Sequence, residues 1–311
     1  LKPLYLVTGG AGFIGSHICE ELVSQGHAVR AFDNLSSGYR GNIEHLGQSL
    51  EFVAGDIRDP DALDRACRGV THIFHEAALV SVFDSVEKPA EANDINVTGT
   101  LNVLLAAKKN GVQRVVLASS AAVYGNDPVL PKTEGMKPLP ESPYAVSKIT
   151  GEHYLRVFAQ LHGLETASLR YFNVFGPRQD PRSFYSGVIS RFTDDVINNR
   201  PPTVFGDGLQ SRDFVFVKDV VQANMLVMHS GRAGGGEVFN IASGKTATLL
   251  DLLAVIGRLS KKNITPAQRE TRAGDIRHSS ADISLAAAAL GYKPEYSLQS
   301  GLTELWKWLN R

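Results

Sequence analysis

The sequence predicts an α/β fold: a mostly parallel sheet flanked by helices, followed by a smaller second domain. Three observations predict it. Short apolar runs alternate with helix-length amphipathic stretches through the first half of the 311-residue chain, and such alternation means crossover connections between parallel strands. A glycine-rich turn joins the first apolar run to the first helical stretch. Beyond residue 173 the alternation loosens into segments punctuated by Pro and Gly.

Each element follows from local pattern. Residues 4–8 read as strand one, and 13–25 have helical periodicity ending at Gly26. Residues 27–33 are strand two, and 48–55 contain strand three. Residues 60–68 read as a helix, with Pro60 at its first position and Asp59 as its cap. Residues 70–77 are strand four. Residues 92–109 form a long helix closed by Asn110-Gly111, and 112–119 are strand five. A second long helix, 142–161, closes at Gly163 before strand six at 164–170. Helical segments around 187–198 and 217–229 enclose a loop over 201–212. Residues 231–236 read as an exposed turn, 239–241 as the start of a short strand, 248–259 as a helix, and 298–309 as an amphipathic helix. The expected division is a dinucleotide-binding domain at 1–173, joined by part of 211–240, and a smaller substrate domain over most of 174–311.

Composition narrows the class. Hydrophobic residues make up 43% and charged residues 21%, with 32 basic against 32 acidic side chains. That balance argues against nucleic acid as the main partner and leaves room for a local basic pocket. Two cysteines, Cys19 and Cys67, make neither a disulfide framework nor a metal-binding pattern, and both are expected to be buried. The chain enters a strand and a glycine turn at once, and no run of about eighteen apolar residues occurs. A cytoplasmic protein without a leader or membrane span is expected.

The turn after strand one reads Thr8-Gly-Gly-Ala-Gly-Phe-Ile-Gly15. Gly9 permits the tight turn, Gly12 leaves space for a pyrophosphate, and Gly15 lets the helix approach the sheet. Free N–H groups at the helix start suit an anion. Asp33 ends strand two and can accept hydrogen bonds from ribose hydroxyls while repelling a 2′-phosphate, which favours NAD over NADP. Asp56 and Ile57, after strand three, are candidates for one polar and one apolar contact to adenine. Tyr144 and Lys148, four apart, share a helix face. A neighbouring ammonium and a cationic nicotinamide ring would favour the phenolate. Ser119 or Ser120, at the end of strand five, supplies a hydroxyl beside the phenol.

With these residues in view, the chain resembles the extended short-chain dehydrogenase/reductase superfamily, and within it the UDP-glucose (UDP-galactose) and UDP-N-acetylglucosamine 4-epimerases. The likeness rests on TGGAGFIGSH at 8–17, DNLSSG at 33–38, GDIRD at 55–59, HEAA at 75–78, NVTGT at 96–100, SSAAVYG at 119–125, YAVSK at 144–148, RYFNVFGPRQ at 170–179, FGDGLQSRDFVFVKDV at 205–220 and RAGDIRHSSADI at 272–283. The resemblance implies a Rossmann fold, NAD as cofactor, and C4 epimerisation of UDP-hexoses through a 4-keto sugar. It makes Tyr144 the catalytic base, Lys148 its partner and Ser120 the assisting hydroxyl. Around the cofactor it places Gly9, Gly12, Phe13, Ile14, Gly15, Asp33, Asn34, Ser37, Gly38, Asp56, Ile57, Ala77, Ala78, Asn96, Ser119 and Tyr171, together with Tyr144 and Lys148. Around the UDP-sugar it places Ser81, Ser120, Tyr144, Asn173, Val188, Phe205, Gln210, Arg212, Arg272, Asp275 and Ser279. It also implies a homodimer through helices 92–109 and 142–161, with Leu101, Leu104, Leu105, Leu155 and Phe158 as apolar candidates that could equally face the sheet. No metal is implied.

Three positions refine the expectation. Dehydratase and decarboxylase relatives carry acids where this chain has Ala121 and Ala122, so chemistry at C4 alone is favoured. Ser279 stands where strict UDP-glucose enzymes carry a bulky tyrosine, so an acetamido group at C2 has room. Glu76 stands where relatives carry an uncharged residue, either facing solvent or lying near the nicotinamide. UDP-glucuronate is the alternative substrate, with Arg178 and Arg182 as candidates for its carboxylate. A further alternative is another NAD-dependent nucleotide-sugar epimerase or dehydratase. A non-catalytic dinucleotide-binding protein is the alternative from another class, disfavoured by the intact Tyr-Lys pair.

Overall fold

The first apolar run becomes β1 (Leu4–Thr8), the strand from which the sheet is ordered. The computed structural model describes residues 3–180, 187–271 and 276–310. In chain order β1 leads to α1 (Phe13–Ser24), β2 (Ala28–Asp33), β3 (Leu50–Ala54), α2 (Pro60–Ala66), β4 (His72–His75), α3 (Val82–Glu87), α4 (Pro89–Asn93), α5 (Gly99–Lys109), β5 (Arg114–Ser120), α6 (Pro143–His162) and β6 (Glu165–Tyr171). The second half supplies β7 (Asn173–Phe175), α7 (Val188–Ile197), β8 (Thr203–Phe205), β9 (Ser211–Phe216), α8 (Val217–His229) and β10 (Gly235–Ile241). After these come β11 (Thr246–Thr248), α9 (Leu249–Ser260), β12 (Ala267–Arg269), α10 (Ser284–Leu290) and α11 (Leu298–Leu309).

The main sheet has the order β10-β6-β5-β4-β1-β2-β3, with every neighbouring pair parallel. The chain runs outward from β1 through β2 and β3, then returns to lay β4 on the other side of β1. That reversal opens a crevice beyond the carboxyl ends of β1 and β4, where such sheets bind ligands. One face of the sheet is covered by α1 and α8, through Ile18, Leu22, Val220 and Met228. The other is covered by α2, α5 and α6, through Leu63, Leu104, Leu155 and Phe158. A separate apolar cluster joins β9, α7, α9 and α11 around Phe214, Phe216, Phe192, Leu252 and Leu302.

Local chemistry sets the helix ends. Asp59 accepts from the amides of Asp61 and Ala62 at 3.0 and 3.1 Å, capping α2 as the sequence predicts. Ser142 accepts from Ala145 N at 3.1 Å to start α6, and Gly163 closes it with φ +65°.

Several expectations are corrected. The loop expected over 201–212 holds β8 and the start of β9. The turn expected at 231–236 already enters β10 at Gly235. The helix expected at 92–109 is preceded by α3, and its chain is helical from Pro89, with a wide turn over Asp94–Thr98. Leu104, Leu155 and Phe158, candidates for a dimer interface, are buried in their own core. Of the candidates Leu105 does face outward, and Val146, Val157 and Leu161 of α6 are exposed as well.

Cys19 and Cys67 are free and buried. Among the described residues no helix is long and apolar enough to cross a membrane. Nor do three or more His, Cys, Asp or Glu side chains gather there to hold a metal ion.

Candidate functional site

The glycine turn sits at the β1/β4 crevice. Gly9 has φ +68°, and a Cβ on it would lie 2.7 Å from Ala77 N, so the turn is pressed against the end of β4. A Cβ on Gly15 would overlap the Gly9 carbonyl oxygen. Gly12 is the first flank of α1, no side chain caps that helix, and its first turn carries no acid. The helix start therefore presents backbone N–H groups and a partial positive charge to the crevice. This cradle suits a dinucleotide pyrophosphate. Asp33 is buried beside it, accepting from Ala11 N at 3.0 Å and Leu35 N at 2.7 Å. Gly38 packs on Ala11 and on the Asp33 carboxylate. The loop 33–38, with Asn34 and Ser37, thus folds onto the glycine turn.

Not every predicted cofactor contact is left open. Asp56 accepts from Asn34 at 2.9 Å and from Arg58 at 2.7 Å, and the Arg58 guanidinium holds its carboxyl well below the usual range. Ile57 is buried in the core against Gly99. Phe13 and Ile14, on the first turn of α1, are partly buried against neighbouring apolar clusters.

A buried polar chain holds this end of the sheet rigid. Ala77 N donates to Thr8 Oγ1 at 3.3 Å, and Thr8 Oγ1 lies 2.7 Å from His75 Nδ1. His75 Nε2 meets Thr100 Oγ1 at 3.0 Å, whose own proton goes to Asn96 O at 2.6 Å. Burial pushes His75 down to about 3, so the ring is neutral at physiological pH, accepting on one nitrogen and donating on the other. Asn96 then clasps Leu79 through both its amide atoms and donates to Ser147 Oγ at 2.9 Å. Ser147 donates in turn to Tyr144 O at 2.7 Å. Asn96 therefore fixes the loop carrying Ala77 and Ala78 against α6. Ser81 caps α3, accepting from Asp84 N at 2.8 Å, and Ser85 accepts from Tyr144 N at 3.0 Å. Sequence reasoning missed α3 as the clamp on the start of α6.

Tyr144 and Lys148 are both buried, one turn apart on α6. Lys148 Nζ donates to Ala118 O at 2.9 Å and stands 5.7 Å from the centre of the Tyr144 ring. Burial lowers Lys148 to about 8, with the Glu76 carboxylate working against that. Burial raises Tyr144, and Glu76 raises it further, while a hydrogen bond with Ser120 opposes them. The expected lowering of the phenol is thus not a property of the protein alone: here the Ser120 hydrogen bond works against a larger cost of burial.

The two serines diverge. Ser120 faces Tyr144, and its Oγ accepts from Ala122 N at 3.1 Å. Ser119 points the other way, donating to Glu152 Oε1 at 2.5 Å. Glu152 is paired with Arg170 at 2.7 and 2.9 Å, with both side chains buried. The Arg170 guanidinium lies 4.8 Å from the Tyr124 ring, and Tyr124 donates to Asn240 Oδ1 at 2.6 Å. Asn240 donates on to the carbonyls of Lys132 and Asp282. This network ties the end of β5 to the segment that follows Ser279. Only one sign of it stood in the sequence: Glu152 follows Lys148 by one helical turn.

Several of the sugar-side candidates lie on or beside β7 and β9. β7 pairs with β9, bringing Asn173 beside Phe214, and Asn173 donates to Asp213 O at 3.3 Å. Gln210 is buried and donates to Phe205 O at 2.7 Å. Arg212 donates to Ser211 O at 2.9 Å, and Ser279 N donates to Ser211 O at 3.0 Å. Val188 begins α7 alongside. Arg178 is engaged by Glu20 at 2.6 Å. Arg272, Asp275 and Arg182 lie outside the described residues.

Glu76 turns its carboxylate inward to Tyr171. It is half-buried just past the end of β4, and its Oε1 accepts from Tyr171 OH at 2.9 Å. Burial pushes it from an ordinary 4.5 up to about 7, while the Tyr171 hydroxyl and Lys148 pull it back. The folded state therefore prefers the protonated acid: that stability is complete below the unfolded value and is lost as pH rises through about 7. Glu76→Gln is expected to stabilise the cofactor-free protein at about pH 8 by on the order of 1–3 kcal/mol, and little near pH 4.5. Thermal melts of both proteins at the two pH values check this, and equal melting temperatures at pH 8 would refute it.

Comparison with known proteins agrees with this geometry. The profile of the NAD dependent epimerase/dehydratase family matches residues 5–242. A UDP-glucose 4-epimerase of Mycolicibacterium smegmatis is 39% identical over 303 residues, covering 96% of each chain. The crystal structure of UDP-glucose 4-epimerase with UDP-glucose from Thermotoga maritima superposes with TM-score 0.93 at 38% identity, covering 99% of this chain and 98% of that one. The UDP-N-acetylglucosamine 4-epimerase from Methanobrevibacter ruminantium M1, in complex with UDP-N-acetylmuramic acid, gives TM-score 0.94 at 40% identity, with the same coverage. A glycine cradle at the switch point, a Tyr-Lys pair under the end of β5 and a family match across the whole sheet converge: the chain belongs to the NAD-dependent epimerase/dehydratase family.

Proposed function

We propose that the protein interconverts the C4 epimers of UDP-hexoses, UDP-glucose and UDP-galactose first among them, with NAD as its cofactor. The observation that carries the reading is the convergence of Tyr144, Lys148 and Ser120 beneath the glycine cradle, with alanine at 121 and 122. Bound NAD supplies a hydride acceptor that becomes the donor in the return step. Tyr144 takes the proton of the sugar 4-hydroxyl, Ser120 holds the same oxygen, and Lys148 supplies positive charge for the phenolate. The 4-keto sugar turns about its pyrophosphate while Asn173, Val188, Phe205, Gln210 and Arg212, with Arg272 and Asp275, grip the UDP. Tyr144 returns the proton on the other face. Glu76, pinned by Tyr171, is not free to serve as an acid or base at C5 or C6, which supports C4 chemistry alone.

The test is incubation of the purified protein, with no added cofactor, with UDP-glucose, UDP-N-acetylglucosamine or UDP-glucuronate, the products being resolved by anion exchange. UDP-galactose from UDP-glucose is the expected result. Conversion of UDP-glucuronate alone would replace the substrate assignment, and no conversion even with added NAD would end it. Ser279 sets the second expectation: Ser279→Tyr should lower activity on the N-acetylated sugars about 10–100-fold while sparing UDP-glucose, because a filled pocket edge rejects bulk at C2.

The active unit proposed is a homodimer paired through α5 and α6. Val146, Val157 and Leu161 form an outward stripe at helical spacing, with Leu105 beside it, and Leu161 is 72% exposed. Light scattering should return twice the chain mass at micromolar concentration, and Val157→Glu should shift it toward monomer. A wild-type monomer would defeat the assignment.

A further inference from the structure

Glu76 has no part in the steps above, yet it lies at their centre. Its backbone belongs to the cofactor cradle: Glu76 N donates to Thr8 O at 3.2 Å, and a Cβ on Gly9 would come within 3.0 Å of its carbonyl carbon. Its side chain reaches toward β6, where Tyr171 OH donates to it at 2.9 Å and itself accepts from Asn224 Nδ2 at 2.8 Å. The Asn224 amide also donates to Val220 O at 2.9 Å, so α8 anchors the chain of bonds. Four titratable groups surround the carboxyl. Lys148 and Tyr144 face it from α6, Tyr171 faces it from β6, and the neutral His75 precedes it on β4. A half-buried carboxyl held by a donated hydrogen bond is kept beside charge that changes near it.

We infer that Glu76 sets the redox poise of the bound cofactor, its carboxylate favouring the oxidised, cationic nicotinamide over the reduced, neutral one. This rests on the epimerase reading and deepens it. In the first half-reaction the sugar C4–H bond breaks, its hydrogen and electron pair pass to the nicotinamide, and the 4-hydroxyl proton passes to the Tyr144 phenolate. The second half reverses both transfers on the other face of C4, so no outside oxidant or reductant is consumed. A carboxylate that disfavours the reduced cofactor drives the return transfer. It limits the time spent with a keto sugar that could escape and leave a reduced, inactive enzyme. Two unit charges about 10 Å apart in a protein shift an equilibrium by roughly tenfold. Removing the Glu76 charge should therefore move the bound couple by about that factor. The rise in pKa of Glu76 agrees: Lys148 and the Tyr171 hydroxyl do not offset the water lost around the carboxylate, so a further positive charge beside it has room to act.

The test is a redox titration of holoenzyme against a reference dye couple, read by the absorbance of reduced nicotinamide, without any sugar. Glu76→Gln is expected to raise the midpoint by about 30 mV, the two-electron equivalent of a tenfold change. The same variant should accumulate about tenfold more reduced cofactor when UDP-glucose is added. Glu76→Met tests charge against contact, because glutamine can still accept from Tyr171 and methionine cannot. The same rise in both variants supports the charge effect. An unchanged midpoint in Glu76→Gln, or a rise in Glu76→Met alone, overturns it. Wild-type protein that holds no dinucleotide would instead overturn the functional reading beneath it.

Discussion

Tyr144→Phe is expected to lower turnover of UDP-glucose by about 10²–10⁴-fold, the range typical for loss of a positioned general base, while cofactor content and UDP-sugar affinity change little. The ring is buried near Lys148 and the backbone that carries it is held by Ser85, so phenylalanine keeps the packing and loses only the hydroxyl. Burial and Glu76 raise this phenol, and the hydrogen bond with Ser120 is what lowers it. Its ionisation must therefore be favoured when the cationic nicotinamide is in place. Two consequences separate a base from a mere packing residue. The wild-type rate should climb with pH as the phenol ionises in the complex, and the residual rate of the variant should lose that dependence. Ser120→Ala, which removes that opposing hydrogen bond, should move the climb to higher pH. Initial rates across about pH 6–9 on both variants measure this. A Tyr144→Phe enzyme with wild-type turnover would remove Tyr144 from the chemistry altogether.

The cofactor half was legible because its signals are local. Gly9, Gly12 and Gly15 each answer a constraint within a few residues, and the apolar runs of β1, β2, β4, β5 and β6 are buried strands with no competing pattern. The misses share another cause. β9 contains Asp213, fully buried, whose carboxylate accepts from the amide and hydroxyl of Ser243 at 2.8 and 2.7 Å. A charged residue within a short run masks a strand when its partner lies thirty residues away. β10 opens with Gly235 and Gly236 and a register shift between Gly235 and Glu237, so composition says turn where pairing with β6 says strand. α3 is only six residues long and depends on the Ser81 cap and the Ser85 bond to α6. The orientation of Leu104, Leu155 and Phe158 was undecidable from periodicity, since one apolar stripe serves a sheet as well as a second helix. At the site, Tyr144 and Lys148 were legible as a spacing. The opposite duties of Ser119 and Ser120 depend on Glu152 and Arg170, which only the fold brings together.

Gly15→Val is expected to yield a protein purified without NAD and inactive even when the cofactor is supplied at saturating concentration for the wild type. A Cβ there overlaps the Gly9 carbonyl oxygen, and Gly9 has nowhere to go, because Ala77 N stands 2.7 Å from where its own Cβ would be. The loop, the end of β4 and the first turn of α1 are locked together, so relief of the clash must widen the cradle. Overpacking of this kind costs about 1–3 kcal/mol of stability. The larger loss is the alignment of backbone N–H groups with the pyrophosphate, expected to weaken NAD binding at least about 100-fold. A ligand at 100 times its dissociation constant stabilises a fold by about 2.7 kcal/mol, so added NAD should raise the melting temperature of the wild type and not of the variant. Gly41→Ala is the control. A Cβ on Gly41 would meet nothing within 4 Å, and its backbone lies outside the left-handed region, so this variant should bind NAD and turn over as the wild type does. If Gly15→Val also kept its NAD and its thermal shift, close approach of helix to loop would not be what binds the cofactor. The anion site would then have to lie elsewhere along the carboxyl edge of the sheet.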